Sequence, residues 1–427
     1  MENLYACFKQ STGVSIDSRK IHENCMFIAL KGPTFNGNEY ANEAISKGAK
    51  FAIVDELQYA DESRGIYLVE NSLKFLQDLA CYHRKQFDIP VIGITGSNGK
   101  TTTKELIATV LSQKYNVLAT VGNFNNHIGV PLTLLNLTQK HEIAVVEMGA
   151  NHFGDIKELC DIALPNYGII TNIGKAHLEG FLNFEGVLQT KRELYDAVEQ
   201  NEGLLVFNNN DSVLVDILPP NTMLMSYGIS DATVTGKLEK LTPFIELSWS
   251  TEAYKSPVIT TNLVGQYNFF NFLAAIAFGV LFGVEKEKIN HAVSSYTPNN
   301  KRSQVVKTNK NILIMDCYNA NPTSMRSALE SFAMISHPNK LVIIGDMLEL
   351  GKESKMEHEE IIRLVNQLDL KGFSVGAEFG QVVDASLTNY SSASAVIEML
   401  KENHLQDYLV LLKGSRGIGL EVLEEFL

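Results

Sequence analysis

Residues 90–103 read PVIGITGSNGKTTT, an apolar run that passes through glycines into a lysine and threonines. The pattern predicts a strand from Pro90 to Thr95 and a helix from about Lys100 to Gln113. A glycine-rich loop between a strand and a helix is typical of phosphate binding, because backbone N–H groups and the positive end of the helix both attract phosphate oxygens. The sequence therefore predicts an α/β fold built around a nucleotide-binding loop.

The loop also carries side chains suited to this task. Lys100 can neutralise the β and γ phosphates of ATP, and the Thr101 hydroxyl can bind Mg²⁺. The strict P-loop pattern fails at one position, because Ile94 stands where its first glycine would be. The alternative interpretation is a glycine-rich turn before an ordinary helix. We assign ATP binding to Thr95, Gly96, Ser97, Asn98, Gly99, Lys100, Thr101 and Thr102.

The composition restricts the classes of function. A chain of 427 residues is too long for one hydrophobic core and predicts several domains. The net charge of −13 argues against broad binding to nucleic acids or anionic membranes. The five cysteines form no C-x-x-C pair, which favours reduced thiols in the cytoplasm over disulfides or a zinc site.

One apolar segment is similar in composition to a membrane span. Leu263 to Val284 carries no charge, but Gln266, Asn268 and Asn271 crowd its first half. A spanning helix needs about 20 predominantly apolar residues. Since the N-terminus also lacks a signal-peptide pattern, we expect a cytoplasmic protein in which this segment is a buried helix.

Strands alternate with helices along the chain, which predicts parallel sheets. Turn-rich stretches predict boundaries between three α/β domains, at 1–84, 85–297 and 298–427. The central domain is expected to be a doubly wound parallel sheet with an antiparallel edge in Asp231–Thr260. The predicted strands are Cys25–Leu30, Lys50–Val54, Ile66–Val69, Pro90–Thr95, Ile143–Glu147, Gly168–Asn172, Asn311–Met315, Lys340–Ile344 and Tyr408–Leu412. Further helices are predicted at Glu39–Gly48, Ser72–Phe87, Phe184–Glu199, Ser324–Ile335 and Lys355–Leu368.

Chemically active side chains follow several of these strands. In open parallel sheets, ligands bind at the carboxyl ends of the strands. Glu147 and Asp316 stand at such ends, and His177 lies just past another. A solvated glutamate, a capped turn and a structural histidine are the alternatives. Donors suited to a carboxylate follow the last strand, in Lys413-Gly414-Ser415-Arg416.

Lys191 stands in the apolar stripe of the predicted helix Phe184–Glu199. In one interpretation its methylenes pack in the stripe while the ammonium reaches water. In the other interpretation, a phosphate neutralises the charge of the lysine or a covalent modification removes it. Both interpretations remain open from the spacing. The apolar residues of the stripe are Val187, Leu188, Leu194, Tyr195 and Val198.

Taken in order, these motifs resemble those of the Mur ligase family and, more distantly, folylpolyglutamate synthase. The resemblance covers essentially the whole chain. Besides the glycine loop it rests on DSR (17–19), GNFNNHIGVPLT (122–133), EMGA (147–150), NIGKAHLE (172–179), YNANP (318–322), GDMLELG (345–351) and KGSR (413–416).

The resemblance implies a UDP-sugar domain, a central P-loop ATPase domain and a C-terminal Rossmann-like domain for the incoming amine. It is greatest to the branch that joins D-alanyl-D-alanine to UDP-N-acetylmuramoyl-tripeptide through an acyl phosphate in peptidoglycan synthesis. The pair Asn125-Asn126 and the run YNANP favour this branch. We expect a monomer that binds these two substrates and Mg-ATP.

The resemblance also implies roles for single residues. Lys100, Lys191 and His177 would be catalytic. Lys191 would carry a carbamate that ligates a second Mg²⁺. The Mg²⁺ ligands would be Thr101, Glu147, His177 and the modified Lys191. Further nucleotide contacts would come from Asn268, Asn271, Arg302 and Asp316. The UDP-sugar would lie on Ser18, Arg19, Asn36 and Gly37. The remaining substrate contacts would be Asn125, Asn126, Tyr318, Asn319, Asn321, Lys413, Ser415 and Arg416.

Other functions remain open. A sibling ligase would add a single amino acid, and a folate enzyme would add glutamate. A P-loop ATPase switch or a small-molecule kinase would turn over ATP without an amine. A non-catalytic nucleotide-binding protein would have little need for Lys100 and Thr101 beside candidate metal ligands.

Overall fold

The computed structural model describes residues 1–175, 178–181, 183–241, 243–382 and 387–427. Within these residues the strands form three larger sheets and one two-stranded hairpin. The sheets follow one another along the chain and are mainly parallel, which confirms the predicted α/β class. The domain boundaries after residues 84 and 297 remain predictions.

The first sheet is small and is built from short strands. The elements here are α1 (Glu2–Lys9), β1 (Val14–Ser15), β2 (Met26–Ile28), β3 (Lys31–Gly32), β4 (Phe35–Asn36), α2 (Ala41–Ser46), β5 (Phe51–Val54), β6 (Ile66–Leu68) and α3 (Ser72–Arg84). The parallel order is β1-β2-β5-β6, and β3 pairs with β4 as a hairpin.

The helix predicted at Glu39–Gly48 differs at both ends. It begins with a 3-10 turn, Gly37–Tyr40, and the α-helical part ends at Ser46. Gly48 adopts a φ of +107°, which no right-handed helix contains. Helix α3 likewise ends at Arg84, three residues before the predicted end.

The second sheet is large and holds the glycine loop. Its first elements are β7 (Val91–Thr95), α4 (Lys100–Leu111), β8 (Val117–Ala119), α5 (Gly129–Leu134), β9 (Ile143–Glu147), α6 (Asp155–Ala163), β10 (Tyr167–Ile170), α7 (Leu178–Phe181) and α8 (Phe184–Gln200). Its later elements are β11 (Leu204–Asn208), α9 (Ser212–Asp216), β12 (Met223–Gly228), β13 (Val234–Lys240), β14 (Glu246–Thr251), β15 (Tyr254–Lys255), β16 (Ile259–Thr260), α10 (Asn268–Leu281) and α11 (Lys286–Ser295).

This sheet is parallel through most of its width. The order is β15-β14-β13-β12-β11-β10-β7-β9-β8, with β16 on β14. Pairing is parallel from β8 to β13 and antiparallel beyond β13, so the predicted antiparallel edge is confirmed. The sequence pattern missed β8, β11 and β12.

Helices cover both faces of the central sheet. Leu106 of α4, Phe272 of α10 and Ile289 of α11 belong to the core on one face. Helices α5, α6 and α8 cover the other face, and α3 packs beside α5 and α6. The apolar segment is thus the buried helix that was predicted. Among the helices of the described residues, none combines the length and hydropathy needed to cross a bilayer.

The third sheet has the order β17-β18-β22-β19-β20-β21 and is parallel except for its edge strand β17. Helices α12 and α13 cover one face and α15 the other. The elements are β17 (Gln304–Lys307), β18 (Ile312–Asp316), α12 (Pro322–Met334), β19 (Lys340–Gly345), α13 (Ser354–Gln367), β20 (Gly372–Val375), α14 (Ala377–Gly380), β21 (Leu387–Tyr390), α15 (Ala393–Glu402) and β22 (Leu409–Lys413).

The linker between the second and third sheets is bound to the ATP-loop helix. Glu105 of α4 accepts a hydrogen bond from the Tyr296 hydroxyl at 2.6 Å and another from Nδ2 of Asn300 at 2.9 Å. Lys301 and Ser303 have φ values of +57° and +50°. Such a conformation costs a residue with a side chain about 1–2 kcal/mol, so the linker has a defined and costly shape.

Helix α10 should be a main source of stability for the central sheet. Leu273 is fully buried and its side chain lies over Gly236 of β13. In a Leu273→Ala protein the neighbours fill the vacated space only in part, so we expect a loss of about 2–5 kcal/mol in the free energy of unfolding. The free energy of unfolding can be measured by urea titration. The fluorescence of Trp249, which lies in the same core, reports the transition.

The control for this substitution is Leu224→Ala, because Leu224 is 46% exposed. We expect that variant to change the free energy of unfolding by no more than about 0.5 kcal/mol. Equal losses in the two variants would contradict the assignment of α10 to the core.

Candidate functional site

A cavity of about 1030 Å³ lies between residues that follow strands of the second sheet and residues that follow strands of the third. Ligand pockets commonly have about 300–1,000 Å³, so this one has room for more than a single small substrate. It collects most of the residues that the sequence singled out. These are Ser97, Asn98, Gly99, Lys100, Thr101, Thr102, Asn125, Asn126, Glu147, Asn268, Asn271, Arg302, Asp316, Tyr318, Asn319, Asn321, Lys413 and Arg416.

The glycine loop is held in shape by the chain that follows β10. A Cβ atom on Gly96, whose φ is +142°, would collide with Oγ1 of Thr171. Asn172 accepts a hydrogen bond from the backbone N–H of Asn98 at 3.0 Å, and Thr171 donates to the carbonyl of Asn98 at 2.6 Å. Ser97 exchanges two hydrogen bonds with the backbone of Gly174. The loop is therefore preformed for a ligand.

Lys100 bends back over this loop. Its Nζ donates to the carbonyls of Gly96 at 2.6 Å and Ser97 at 3.4 Å. Burial lowers the pKa of Lys100, which the negative charge of Glu147 opposes. The ammonium thus lies at the mouth of the backbone cradle that phosphate oxygens would enter.

Glu147 ends β9 beside the glycine loop, as predicted, and only 1% of its surface is exposed. Its Oε1 accepts hydrogen bonds from the Thr101 hydroxyl at 3.0 Å and from Nδ2 of Asn125 at 2.8 Å. Its Oε2 is buried and has no hydrogen-bond partner. The nearest cation is Lys104, whose Nζ lies 3.9 Å from Oε2.

The oxygen atoms of Thr101 and Glu147 fit a hard divalent cation. Mg²⁺ prefers carboxylate, hydroxyl and phosphate oxygens, and the unpartnered Oε2 supplies an anionic one. Within the described part of the chain no group of three or more His, Cys, Asp or Glu side chains is placed to hold a metal ion. His177, the other predicted ligand, lies outside the described residues.

Lys191 is 2% exposed and lies in α8. Its Nζ is 5.5 Å from the ring centroid of Phe181. Burial and then repulsion from Lys100 lower the pKa of Lys191 well below the ordinary lysine value. The ammonium does not reach water, so the interpretation of an outward-pointing lysine is wrong. The alternative, in which the charge is removed or balanced, remains.

A polar chain lines the wall formed by the start of α10. Ser303 contacts the Tyr267 hydroxyl at 2.7 Å and accepts from Nδ2 of Asn268 at 3.1 Å. Asn271 donates to Asn268 at 2.9 Å and accepts from Thr103 of α4 at 3.1 Å. Burial, and next the charge of Asp316, raise the pKa of Tyr267 well above the tyrosine value, so its hydroxyl is a stable donor.

The opposite wall belongs to the third sheet and is cationic. The buried Nζ of Lys413 lies 2.7 Å from Oδ2 of Asp316, across the β18–β22 pair. The guanidinium carbons of Arg302 and Arg416 lie 3.6 Å and 5.6 Å from the ring centroid of Tyr318. The tyrosine thus holds two arginines toward the cavity by cation–π contacts.

The two walls touch at the glycine loop. Nδ2 of Asn321 donates to Oδ1 of Asn98 at 2.8 Å, and Asn321 also caps α12. Near the same edge, Lys175 forms a 2.7 Å ion pair with Glu357 of α13. The third sheet is therefore docked over the nucleotide loop.

Several predicted residues lie elsewhere. Thr95 donates to the carbonyl of Met148, and Ser415 accepts from the backbone N–H of Leu348, so both are structural here. Lys191 and Gly96 also do not line the cavity. Neither do the four residues of the first sheet's unit, Ser18, Arg19, Asn36 and Gly37.

The first sheet's unit presents Arg19 to solvent. The Arg19 side chain is 86% exposed, and its Nε pairs with Oδ1 of Asp17 at 2.9 Å. The hydrogen bonds from Arg19 lower the pKa of Asp17 to about 2. Asn36 accepts from Asn38 and donates to Glu56, and a Cβ on Gly37 would collide with the carbonyl of Leu30. These contacts shape a turn beside an exposed cation.

Sequence reasoning missed some cavity residues. Asn172 lies just past β10, and Asn208, Asn210 and Asp211 lie at and just after the end of β11. A polar cluster after an apolar run was the signal that could have found them. Lys104, which is buried behind the cavity lining, was also missed, because it stands in the polar run at the start of α4.

Three family models match the chain. The model for the Mur ligase family, catalytic domain, matches residues 10–84, the Mur ligase middle domain matches 94–279, and the Mur ligase, glutamate ligase domain, matches 301–416. The UDP-N-acetylmuramoyl-tripeptide–D-alanyl-D-alanine ligase of Bacillus subtilis is 32% identical over 422 residues, covering 96% of this chain and 91% of the relative.

Solved structures agree along the whole chain. Crystal structure I of MurF from Acinetobacter baumannii has a TM-score of 0.89 and 29% identity, covering 99% of this chain and 97% of that one. The MurF ligase from Thermotoga maritima, solved in complex with ADP, has a TM-score of 0.87 and 27% identity, covering 98% and 97%.

A side chain at position 96 should destroy the phosphate cradle. In Gly96→Ala the added methyl must displace Thr171 and the loop, so we expect at least a tenfold loss of affinity for a fluorescent ATP analogue, measured by equilibrium titration, which corresponds to about 1.4 kcal/mol. The matched control is Gly419→Ala, where φ is also positive but no atom lies within 4 Å of the new Cβ. Unchanged nucleotide affinity in Gly96→Ala would contradict the assignment.

Proposed function

This chain belongs to the Mur ligase family, and we propose that it is the ATP-dependent ligase that joins D-alanyl-D-alanine to UDP-N-acetylmuramoyl-tripeptide. The product is the pentapeptide precursor of peptidoglycan. The observation that carries the proposal is the shared cavity, which sets a preformed phosphate loop against a cationic wall of the third sheet. A ligase needs ATP and two further substrates in one space that excludes water, and we propose this cavity as that space.

ATP would bind with its phosphates on the backbone of residues 96–101 and its nucleoside along α10 and the third sheet. Lys100 would turn from its loop carbonyls to the β and γ phosphates. Asn268 and Asn271, which line the cavity, would contact the nucleoside, and Asp316 would bind the ribose. Arg302 would reach the phosphates from the linker.

Mg²⁺ would be held by Thr101, Glu147 and phosphate oxygens, with His177 as a further ligand. When bound, the cation offsets the negative charge of the phosphates during phosphoryl transfer. Asn125 and Thr101 would keep Glu147 oriented through its Oε1, so that Oε2 faces the cation.

The reaction would proceed in two displacements. A terminal carboxylate oxygen of the tripeptide attacks the γ phosphorus, a P–O bond forms, and the bond to ADP breaks. The amine of D-alanyl-D-alanine then attacks the acyl carbon, inorganic phosphate leaves, and the amine loses a proton. Lys100 would offset charge on the transferred group, while Lys413 and Arg416 are suited to hold the carboxylate of the dipeptide.

Water must be kept from the acyl phosphate, because hydrolysis would waste ATP. The contacts Asn98–Asn321 and Lys175–Glu357 would close the third sheet's unit over the loop during this step. Asn126, Tyr318 and Asn319 would support the substrates at this closure, while Ser415 would act indirectly by holding the backbone of Leu348. Tight docking also aligns the amine with the acyl carbon.

The first sheet's unit would hold the UDP-sugar, with Ser18 and Arg19 near the diphosphate and the turn at Asn36 and Gly37 beside it. Arg19 is suited to a diphosphate because its exposed guanidinium is a permanent cation. The domains would then be 1–84, 85–297 and 298–427, each serving one substrate, within a monomer.

Lys191 would be carbamylated. A lowered pKa increases the neutral fraction of the amine, and the neutral nitrogen can attack CO₂, form an N–C bond and release a proton. Within the described residues no hydrogen bond or ion pair reaches its Nζ. A carbamate would replace this isolated cation with an anion and would supply an oxygen ligand to a second Mg²⁺.

The substrate requirement tests the ligase. We expect phosphate release from Mg-ATP only with UDP-N-acetylmuramoyl-tripeptide and D-alanyl-D-alanine together, measured by a coupled phosphate assay with product identified by mass spectrometry. Release with a single amino acid in place of the dipeptide would assign a sibling activity. Release without any amine would assign an ATPase.

The carbamate can be seen directly. In buffer with ¹³C-bicarbonate, the wild-type protein should give a carbamate carbon signal by NMR that Lys191→Arg lacks, together with at least a hundredfold loss of ligase rate, or about 2.7 kcal/mol. The matched control is Lys157→Arg, because Lys157 is exposed. Full activity in Lys191→Arg would rule the role out.

A further inference from the structure

Lys104 is a buried lysine for which the reaction above has no use. It lies in α4 one turn after Lys100 and is 2% exposed. Its Nζ donates to the carbonyl of Thr120 at 2.7 Å and more weakly to that of Gly122 at 3.4 Å. Burying a lysine is costly unless its charge serves a partner, so its surroundings show what the ammonium does.

Two carboxylates lie close to this ammonium, with Oε1 of Glu105 at 3.8 Å and Oε2 of Glu147 at 3.9 Å. Glu105 is 24% exposed and accepts hydrogen bonds from Tyr296 and Asn300, whereas Glu147 is buried, so Glu147 is the carboxylate that depends on the ammonium. Nζ of Lys104 lies 3.9 Å from Oε2, the buried carboxylate oxygen that has no hydrogen bond. This is too long for a hydrogen bond but short for two opposite charges. The positive charge of the ammonium therefore offsets the negative charge of the carboxylate, while Oε2 accepts no hydrogen bond.

From this geometry we propose that Lys104 is a positioning residue that acts as a built-in counter-cation of Glu147 and keeps the divalent-cation site weak until a nucleotide enters. The inference rests on the proposed function, because it takes Glu147 as a metal ligand. The cation would then bind as a complex with nucleotide phosphates rather than alone.

The reason is electrostatic. A divalent cation lies about 2.1 Å from an oxygen ligand, so a cation on Oε2 is at most about 6 Å from Nζ of Lys104. Even at the dielectric constant of water, repulsion at that distance weakens a binding constant about tenfold, and a buried site weakens it further. Lys104 is enclosed and donates to the carbonyl of Thr120, so its ammonium stays beside the carboxylate. Only added negative charge, such as that of ATP phosphates, overcomes the repulsion.

A purely structural lysine predicts the opposite result. If Lys104 served only to hold residues 120–122, its loss would loosen the loop that carries Asn125, whose side chain holds Oε1 of Glu147. Cation binding would then become weaker. The sign of the change in affinity therefore separates the two roles.

The test is Mn²⁺ binding to nucleotide-free protein, followed by electron paramagnetic resonance of the free ion. Lys104→Gln removes the charge but keeps a donor for the Thr120 carbonyl. We expect it to bind Mn²⁺ at least about tenfold more tightly than wild type, and Lys104→Arg to keep the wild-type affinity. Unchanged or weaker binding in Lys104→Gln would overturn the proposal.

The matched control is Lys114→Met. Nζ of Lys114 also caps two carbonyls, those of Phe282 and Gly283, and its nearest partners include no carboxylate within the described residues. We expect no change in Mn²⁺ affinity there. If Lys114→Met increased the Mn²⁺ affinity as much as Lys104→Gln does, the change in net charge alone would be responsible. That result would also overturn the proposal.

Two further measurements keep the outcome decisive. Glu147→Gln should abolish Mn²⁺ binding, and if it does not, the metal assignment in the proposed function fails rather than the role of Lys104. If Lys104→Gln fails to fold, Lys104→Met replaces it. If neither folds, the wild-type titration decides, because nucleotide-free binding tighter than millimolar would overturn the inference.

Discussion

A buried carboxylate at the end of β9 is the constraint on which the site depends. Glu147 cannot lose contact with water without partners, and it takes them from separate parts of the chain. Thr101 comes from the start of α4, Asn125 from the loop after β8, and Lys104 from the next turn of α4. The glycine loop, the neighbouring strand and the intervening loop are thereby fixed to one another, which is why the phosphate cradle is formed before a ligand arrives.

The third sheet and the linker before it add cationic side chains to the cavity. Its strands end in Asp316 and Lys413, which pair across β18 and β22, and Tyr318 orients Arg302 and Arg416. The cavity therefore collects the cations Lys100, Arg302, Lys413 and Arg416 in one local cluster beside the acidic side chains of Glu147 and Asp316. The chain as a whole is acidic, at −13, so this local cluster and not the overall charge attracts anionic substrates.

Many of the strands and site residues could be predicted from the sequence. The contacts that could not be predicted were missed for physical reasons. The strand Ile143–Glu147 has the predicted ends because an apolar run stops at a charge. The contact between Glu147 and the glycine loop followed from parallel strands sharing an edge. The pair Asn98–Asn321 joins positions 223 residues apart, for which periodicity gives no information. Lys104 was not singled out from the sequence, because burial of a lysine depends on carbonyls that only the folded loop supplies.

The linker with two left-handed residues limits how this protein can be recombined with its relatives. Tyr296 and Asn300 are bonded to Glu105 of the ATP-loop helix, while Lys301 is paired with Glu424 near the C-terminus. In a chimera joined inside this segment, one parent would determine the backbone conformation of the linker and the other would supply its hydrogen-bond and ion-pair partners. A chimera that exchanges the third sheet and its helices should therefore take the linker and Glu105 from the same parent. The hydrogen bonds of the linker, and not the ends of the sheets, then decide where the two sequences can be joined.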